Sequence, residues 1–113
     1  MASLFTKIIN REIPAKIVFE DETCIAFHDI NPQAPVHIVL TSKKEIRSLA
    51  DIGEGDEKIL GHLLKAASLV AKQFKIDESG FRVVINTNGD GGQTVFHIHL
   101  HLLGGRPLEW PPG

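Results

Sequence analysis

Three histidines, His97, His99 and His101, stand at every second position in "VFHIHLHLL", Val95 to Leu103. They are half of the six histidines in a chain of 113 residues. Successive side chains of a strand leave on opposite faces. An extended backbone here therefore puts the three imidazoles on one side and Phe96, Ile98, Leu100 and Leu102 on the other. At a rise of ~3.3 Å per residue, neighbouring imidazoles stand roughly 7 Å apart, within reach of one substrate-sized group. Neutral imidazoles offer a nucleophile, hydrogen-bond donors and a proton source near neutral pH. Like-charge repulsion keeps at least one of them unprotonated. Phosphorus and acyl centres suit such a row. Two other readings fit the alternation alone: an idle solvent face, and a metal site, since strand histidines two apart can share zinc. No cysteine or carboxylate lies within the motif to complete a coordination sphere.

The segment just upstream, "NGDGGQT" from Asn88 to Thr94, carries Gly89, Gly91 and Gly92. Glycine-rich turns let backbone N–H groups close around an anion, and Gln93 and Thr94 add polar groups at the mouth of the histidine strand. A plain hairpin turn explains the glycines equally well. Neither the G-x-x-x-x-G-K-[ST] loop nor a strand-to-helix G-x-G-x-x-G is present.

These residues need a frame. "SLFTKIIN" predicts a short opening helix capped by Ser3, with Phe5, Ile8 and Ile9 on one face, and Pro14 ends it. "KIVFED", "TCIAFHDI" and "VHIVLTS" read as strands, the first two joined by an acidic turn at Asp21 and Glu22. Asp56 to Phe74 is a helix, with Leu60, Leu63, Ala67, Val70 and Phe74 forming an apolar stripe that Leu64 and Ala71 widen. "FRVVINT" and "TVFHIHLHLL" supply two more strands. The expected fold class is α+β: a five-stranded antiparallel sheet with the long helix on one face and a short N-terminal helix. The face opposite the long helix carries the histidines and is expected to lack a helix. Residues 1–113 form a single domain, with a tail over about 104–113.

Composition narrows the function classes. Twelve basic against fourteen acidic residues leave a net charge of −2, which argues against a general nucleic-acid or anionic-membrane binder. Cys24 is the only cysteine, so neither an internal disulfide nor a thiolate metal cage is expected, and it reads as a buried small apolar side chain. No apolar run approaches the roughly 20 residues of a membrane span, and the N-terminus has no signal-like core. A reducing cytoplasm is the expected location. Trp110, in a proline-rich tail, has little of its own chain to pack against, which points to self-association. His62 reads as a helix-surface residue, and His28 alternates away from Phe27 and Asp29.

Taken together, "HIHLHLL", "IPAKIVFEDETCIAFHDINPQAPVHIVL", "VVINTNGDGGQTVFHIHLHLLGGR" and the closing "WPPG" resemble the histidine-triad family, in its Hint branch of nucleotide-binding proteins. The resemblance runs from about Phe5 to Gly113. It implies hydrolysis of a purine nucleotide whose α-phosphate carries an amine or acyl leaving group, with no metal or cofactor. His99 would attack phosphorus to give a nucleotidyl-histidine, its ring oriented by the His97 backbone carbonyl, and water would release the nucleoside monophosphate. His101 would contact the phosphate and, with Thr94, assist leaving-group protonation. His97 and His37, the latter in "PVHIVL", would form a supporting relay.

The same resemblance assigns the binding residues. Asn86, Gln93 and the Val95 backbone would hold phosphate oxygens beside Gly91 and Gly92, and Asp29 would hold the ribose hydroxyls. Phe5, Ile8, Ile13, Phe27 and Ile30 would wall the base, although core packing accounts for each of them singly. It further implies a two-fold homodimer with joined sheets, in which Trp110 tunes leaving-group specificity in trans. A regulatory protein partner is a further role credited to the branch. Thr94 stands where serine is frequent. Dinucleoside polyphosphate hydrolysis is the neighbouring activity, but that branch usually has glutamine at the third histidine and lacks "WPPG".

Overall fold

The computed structural model describes residues 2–113. Five strands, β1 (Ile17–Glu20), β2 (Cys24–His28), β3 (Val36–Ser42), β4 (Phe81–Val84) and β5 (His99–Gly104), form one sheet. Their order is β1-β2-β3-β5-β4, and every neighbouring pair is antiparallel. Helix α1 spans Leu4–Ile9 and helix α2 spans Glu57–Gln73, with Asp56 and Phe74 as its caps. This is the expected α+β class. The turn between β1 and β2 closes on Asp21, whose Oδ1 accepts the backbone N–H groups of Thr23 and Cys24, both at 2.9 Å.

Register decides which residues share a face. Val39 lies opposite His101 and Thr41 opposite His99, while Phe27 and Ile25 oppose Val39 and Thr41 from the other side. One step along each strand, Ile38 faces Leu102 and Leu40 faces both Leu100 and Ala26. This second set packs with Leu63, Ala67 and Val70 of α2 into the main core. The stripe on α2 is narrower than its periodicity suggests: Leu64 is exposed, pointing away from the sheet. His28 goes with the α2 face, its ring edge-on to Phe74. Cys24 is fully buried there, and the apolar surroundings push its thiol up to about 12.

Three expectations are corrected. The histidine face does carry a helix: α1 lies across it, and Phe5 and Ile8 form a second core with Ile25, Phe27 and Val39. The strand expected to begin at Thr94 begins at His99, because β3 ends at Ser42 and offers no ladder partner further out. Residues 95–97 are bends, and Ile98 is held by its N–H donating to Ile46 O and by Thr41 Oγ1 donating to its carbonyl. Phe96 consequently leaves the core face. It is 38% exposed, with the Arg47 guanidinium 4.3 Å over its ring.

Candidate active site

Strand β5 delivers His99 and His101 to the α1 face, and β3 delivers His37 beside them. The rings lean together: His99 and His101 centroids are 5.0 Å apart, and His101 and His37 centroids 5.1 Å. Phe5 of α1 stands edge-on to His99 at 4.8 Å and to Phe27 at 5.5 Å. α1 thus closes one side of the site with an aromatic wall. Its N-terminus is held by Ser3, whose side chain accepts the Thr6 N–H.

Hydrogen-bond partners fix how each ring carries its proton. A carbonyl oxygen only accepts, so the 2.7 Å bond between His99 Nδ1 and the His97 carbonyl puts the proton on Nδ1. The lone pair of His99 is then at Nε2. His37 Nδ1 accepts the Gln33 N–H at 3.0 Å, so its Nε2–H donates to His101 Nδ1 at 2.9 Å. That leaves His101 with an N–H at Nε2. Two chemically identical side chains therefore present opposite functions, an acceptor at His99 and a donor at His101. The Asp29 carboxylate lies 3.3 Å from His37 Nε2.

Electrostatics agree with neutral rings. Burial lowers the affinities of His37, His97 and His99 for a second proton below the ordinary imidazole range. His101 is pushed down to about 4, first by burial and then by the charges that His99 and His37 would carry. Near pH 7 the site holds neutral rings, each with one N–H.

A cavity of about 240 Å³ lies against these groups, lined by Phe5, Ile8, Ile13, Phe27, Asp29 and Ile30 together with Thr94, Val95, His99 and His101. It runs into a wider cleft of about 630 Å³ along Pro14, Ala15, Lys16, His28, Asp29 and Ile30. Apolar walls with a few convergent polar groups make a small-molecule site. Ile30 is fully exposed, so that wall is an open rim. Leu4, Pro14, Ala15 and Val39 also line the cavity, and sequence reasoning missed them. They look like ordinary packing residues until α1 is placed over the sheet.

The glycine loop is braced by bonds of its own. Gly92 N–H donates to Gly89 O, Gln93 N–H donates to Asn88 O, and Asn88 N–H donates to Gln93 Oε1. The Gly92 and Gln93 N–H groups are thus spent on carbonyls of the loop itself. Gly91 is required for close approach, since a Cβ there would stand 2.4 Å from Thr87 O, and Gly92 adopts φ +81. The Gln93 amide is a brace, donating from Nε2 to Arg47 O and Val95 O. Asn86 lies outside the cavity lining, as do Gly91, Gly92 and Gln93. Thr94 and Val95 are the loop residues that reach it.

His97 is apart from the row. Its ring is fully buried behind α1, Nε2 donating to Ser42 O and Nδ1 accepting from Ser3 Oγ, both at 2.6 Å. Among the described residues, two groups bring three metal-type donor atoms together: Asp29, His37 and His101, and on the α2 side Asp21, Cys24 and His62. In the first, the two nitrogens of His37 and Nδ1 of His101 are engaged in the proton chain. In the second, His62 Nε2 donates to Asp21 Oδ2 at 2.6 Å. His62 is therefore half-buried and paired rather than a free surface residue. Trp110 is 81% exposed on the tail. No described helix is long and apolar enough to cross a membrane.

Comparison with known proteins places this arrangement. A family model described as the HIT domain matches residues 10–108. An uncharacterized HIT-like protein of Synechocystis is 55% identical over 98% of this chain and 96% of its own length. A 14 kDa zinc-binding protein of Zea mays is 52% identical over 98% of this chain and 88% of its own. A HIT family hydrolase from Legionella pneumophila superposes with a TM-score of 0.97 at 48% identity, covering 99% of this chain and 100% of that one. A histidine triad nucleotide-binding protein from Candida albicans superposes with a TM-score of 0.83 at 29% identity, covering 97% and 83%. The family model, the relatives and the superposed structures agree, and this chain belongs to the HIT domain family.

Proposed function

We propose that the protein is a hydrolase of purine nucleoside 5′-phosphoramidates and aminoacyl-adenylates, working through a covalent nucleotidyl-histidine. One observation carries this reading: His99 is locked by the His97 carbonyl with its Nε2 lone pair available, beside a second ring locked as a donor. The hydrolase and nucleotide-binding neighbours support the general class. His99 Nε2 attacks the α-phosphorus, a P–Nε2 bond forms and the bond to the amine or acyl leaving group breaks. The leaving group takes the proton of His101 Nε2–H, with the Thr94 hydroxyl assisting. Water then attacks phosphorus and gives one proton back to His101 Nε2, the P–Nε2 bond breaks with its electron pair returning to His99 Nε2, and the nucleoside monophosphate leaves.

The base lies between Phe5, Ile8, Ile13, Phe27 and the open rim at Ile30, with the ribose hydroxyls on Asp29. The Val95 backbone and Asn86 meet phosphate oxygens, and the Gln93 amide braces that loop. The chain works as a two-fold homodimer. The single-partnered edge strand β4 and the exposed Trp110 are the features that support pairing. Across the pair, Trp110 tunes the leaving group. The name of the Zea mays relative raises zinc. The chemistry proposed needs none, because the ring nitrogens that would bind an ion carry the proton chain. A dinucleoside polyphosphate hydrolase is disfavoured by His101.

Incubation with an adenosine 5′-phosphoramidate, acid quench and peptide mass spectrometry test the reading. The expected adduct is adenylate on His99, absent in His99→Ala, whose turnover is lost while AMP affinity remains. An adduct elsewhere, or turnover retained by His99→Ala, overturns it. Elemental analysis showing one zinc per chain, with activity lost on chelation, overturns the metal-free mechanism.

A further inference from the structure

The bonds that hold His97 continue past it. Its Nε2–H is spent on the Ser42 carbonyl, so Nδ1 must accept, and the Ser3 hydroxyl donates to it at 2.6 Å. Ser3 is also the N-cap of α1 and accepts the Thr6 N–H. Both residues end on one carboxylate: Glu45 Oε1 accepts the Ser3 N–H at 2.8 Å and the Thr6 hydroxyl at 2.7 Å. Glu45 itself lies on the connection after β3 and is 3.9 Å from His97 Nδ1.

We infer that Glu45 is a positioning residue for the reaction, pinning Ser3 and Thr6 so that one cluster fixes both the His97 backbone that orients His99 and the α1 wall that holds the base. This rests on the function proposed above. The reasoning is mechanical. A helix of six residues does not hold itself together in water. Its place over the sheet depends on what ties down its first turn. Released from Glu45, Ser3 no longer presents its hydroxyl to a ring that is fully buried and has no water to replace it. The His97 carbonyl then loses its fixed bearing on His99 Nδ1, and Phe5 its fixed edge against His99.

The test compares Glu45→Ala and Glu45→Gln with the parent. Circular dichroism confirms that both variants are folded. In Glu45→Ala, the His97 Nδ1 resonance in ¹⁵N NMR moves toward that of a nitrogen without a hydrogen bond. The single-turnover rate of His99 adenylylation falls about tenfold, roughly the worth of one hydrogen bond, and the AMP dissociation constant rises several-fold. Glu45→Gln restores all three to within about threefold, because an amide oxygen accepts the same two bonds. An unmoved Nδ1 resonance with an unchanged rate in Glu45→Ala overturns the inference. So does a Glu45→Gln variant as impaired as Glu45→Ala, which would mean charge and not anchoring. If the parent forms no adduct on His99, the proposed function fails by itself, and the NMR and AMP arms still decide the role of Glu45.

Discussion

Replacing His101 by glutamine should flatten much of the acid sensitivity of the fold. The His101 imidazole titrates at about 4 in the folded protein and at 6.5 in a free chain. Below 6.5 the unfolded state therefore binds the extra proton first, and protonation favours unfolding. The contribution of this group is intact above 6.5, declines as pH falls through the interval, and is wholly lost below about 4. The gap amounts to about 3 kcal/mol in full, of which about 2 kcal/mol is lost between pH 7 and pH 5. His37, His97 and His99 add losses of the same sign, since each is also lowered by burial. Asp21, at about 2, contributes nothing in this window. Urea unfolding at pH 7, 6 and 5, at one fixed protein concentration, measures the effect for parent and His101→Gln. The parent should lose about 2 kcal/mol more than the variant over that range. Parallel declines, within about 0.5 kcal/mol, would refute a buried neutral His101 and with it the proton assignment built on His37.

Other outcomes follow from local geometry. Gly91→Ala places a Cβ against the Thr87 backbone, 2.4 Å from its oxygen and 2.7 Å from its nitrogen. It should cost about 1–3 kcal/mol in urea unfolding; a neutral result would show that the loop yields freely. Thr94→Ser should stay active and shift the preference among amine leaving groups, because the serine rotamer is freer; an identical profile over a panel of amines would remove Thr94 from that role. Truncation after Arg106 takes away Trp110 and the Glu109 carbonyl that accepts from Arg82 Nη2. It should change leaving-group specificity while costing no more than about 1 kcal/mol, and unchanged kinetics would leave the tail without a part in the site.

Much of the frame was legible because it is local. The periodicity of Leu63, Ala67 and Val70 located α2, whose caps fall on the expected boundary residues Asp56 and Phe74. The strand-forming runs "TCIAFHDI" and "VHIVLTS" located β2 and β3, and Ser3 was readable as a cap. What alternation does not say is where a ladder stops. "TVFHIHLHLL" alternates from Phe96 to Leu102, yet only His99 onward has a partner on β3, and "FRVVINT" pairs only as far as Val84. The placement of α1 over the histidine face was equally hidden. It depends on contacts of Phe5 with Phe27 and His99, which lie far apart in sequence. Composition also does not say that the Gly92 and Gln93 N–H groups of the glycine loop are spent on its own carbonyls.

The division of labour between His99 and His101 lies in neither residue. Both are histidines on one face of one strand, and both are neutral for the same reason, burial. The difference is the chemistry of what each Nδ1 meets. A carbonyl has no proton to give, so His99 must keep its own at Nδ1 and expose a bare Nε2. An imidazole can give one, and His37 does so because the Gln33 N–H already fills its other nitrogen. A backbone amide four residues before His37 thus determines, through two rings, that His101 offers a proton where His99 offers a lone pair. A change that made His37 Nδ1 a donor would move the His101 proton to Nδ1 and leave both rings presenting a lone pair at Nε2, without touching either ring. The motif supplies the imidazoles, and the sheet's hydrogen bonds decide which of them is base and which is acid.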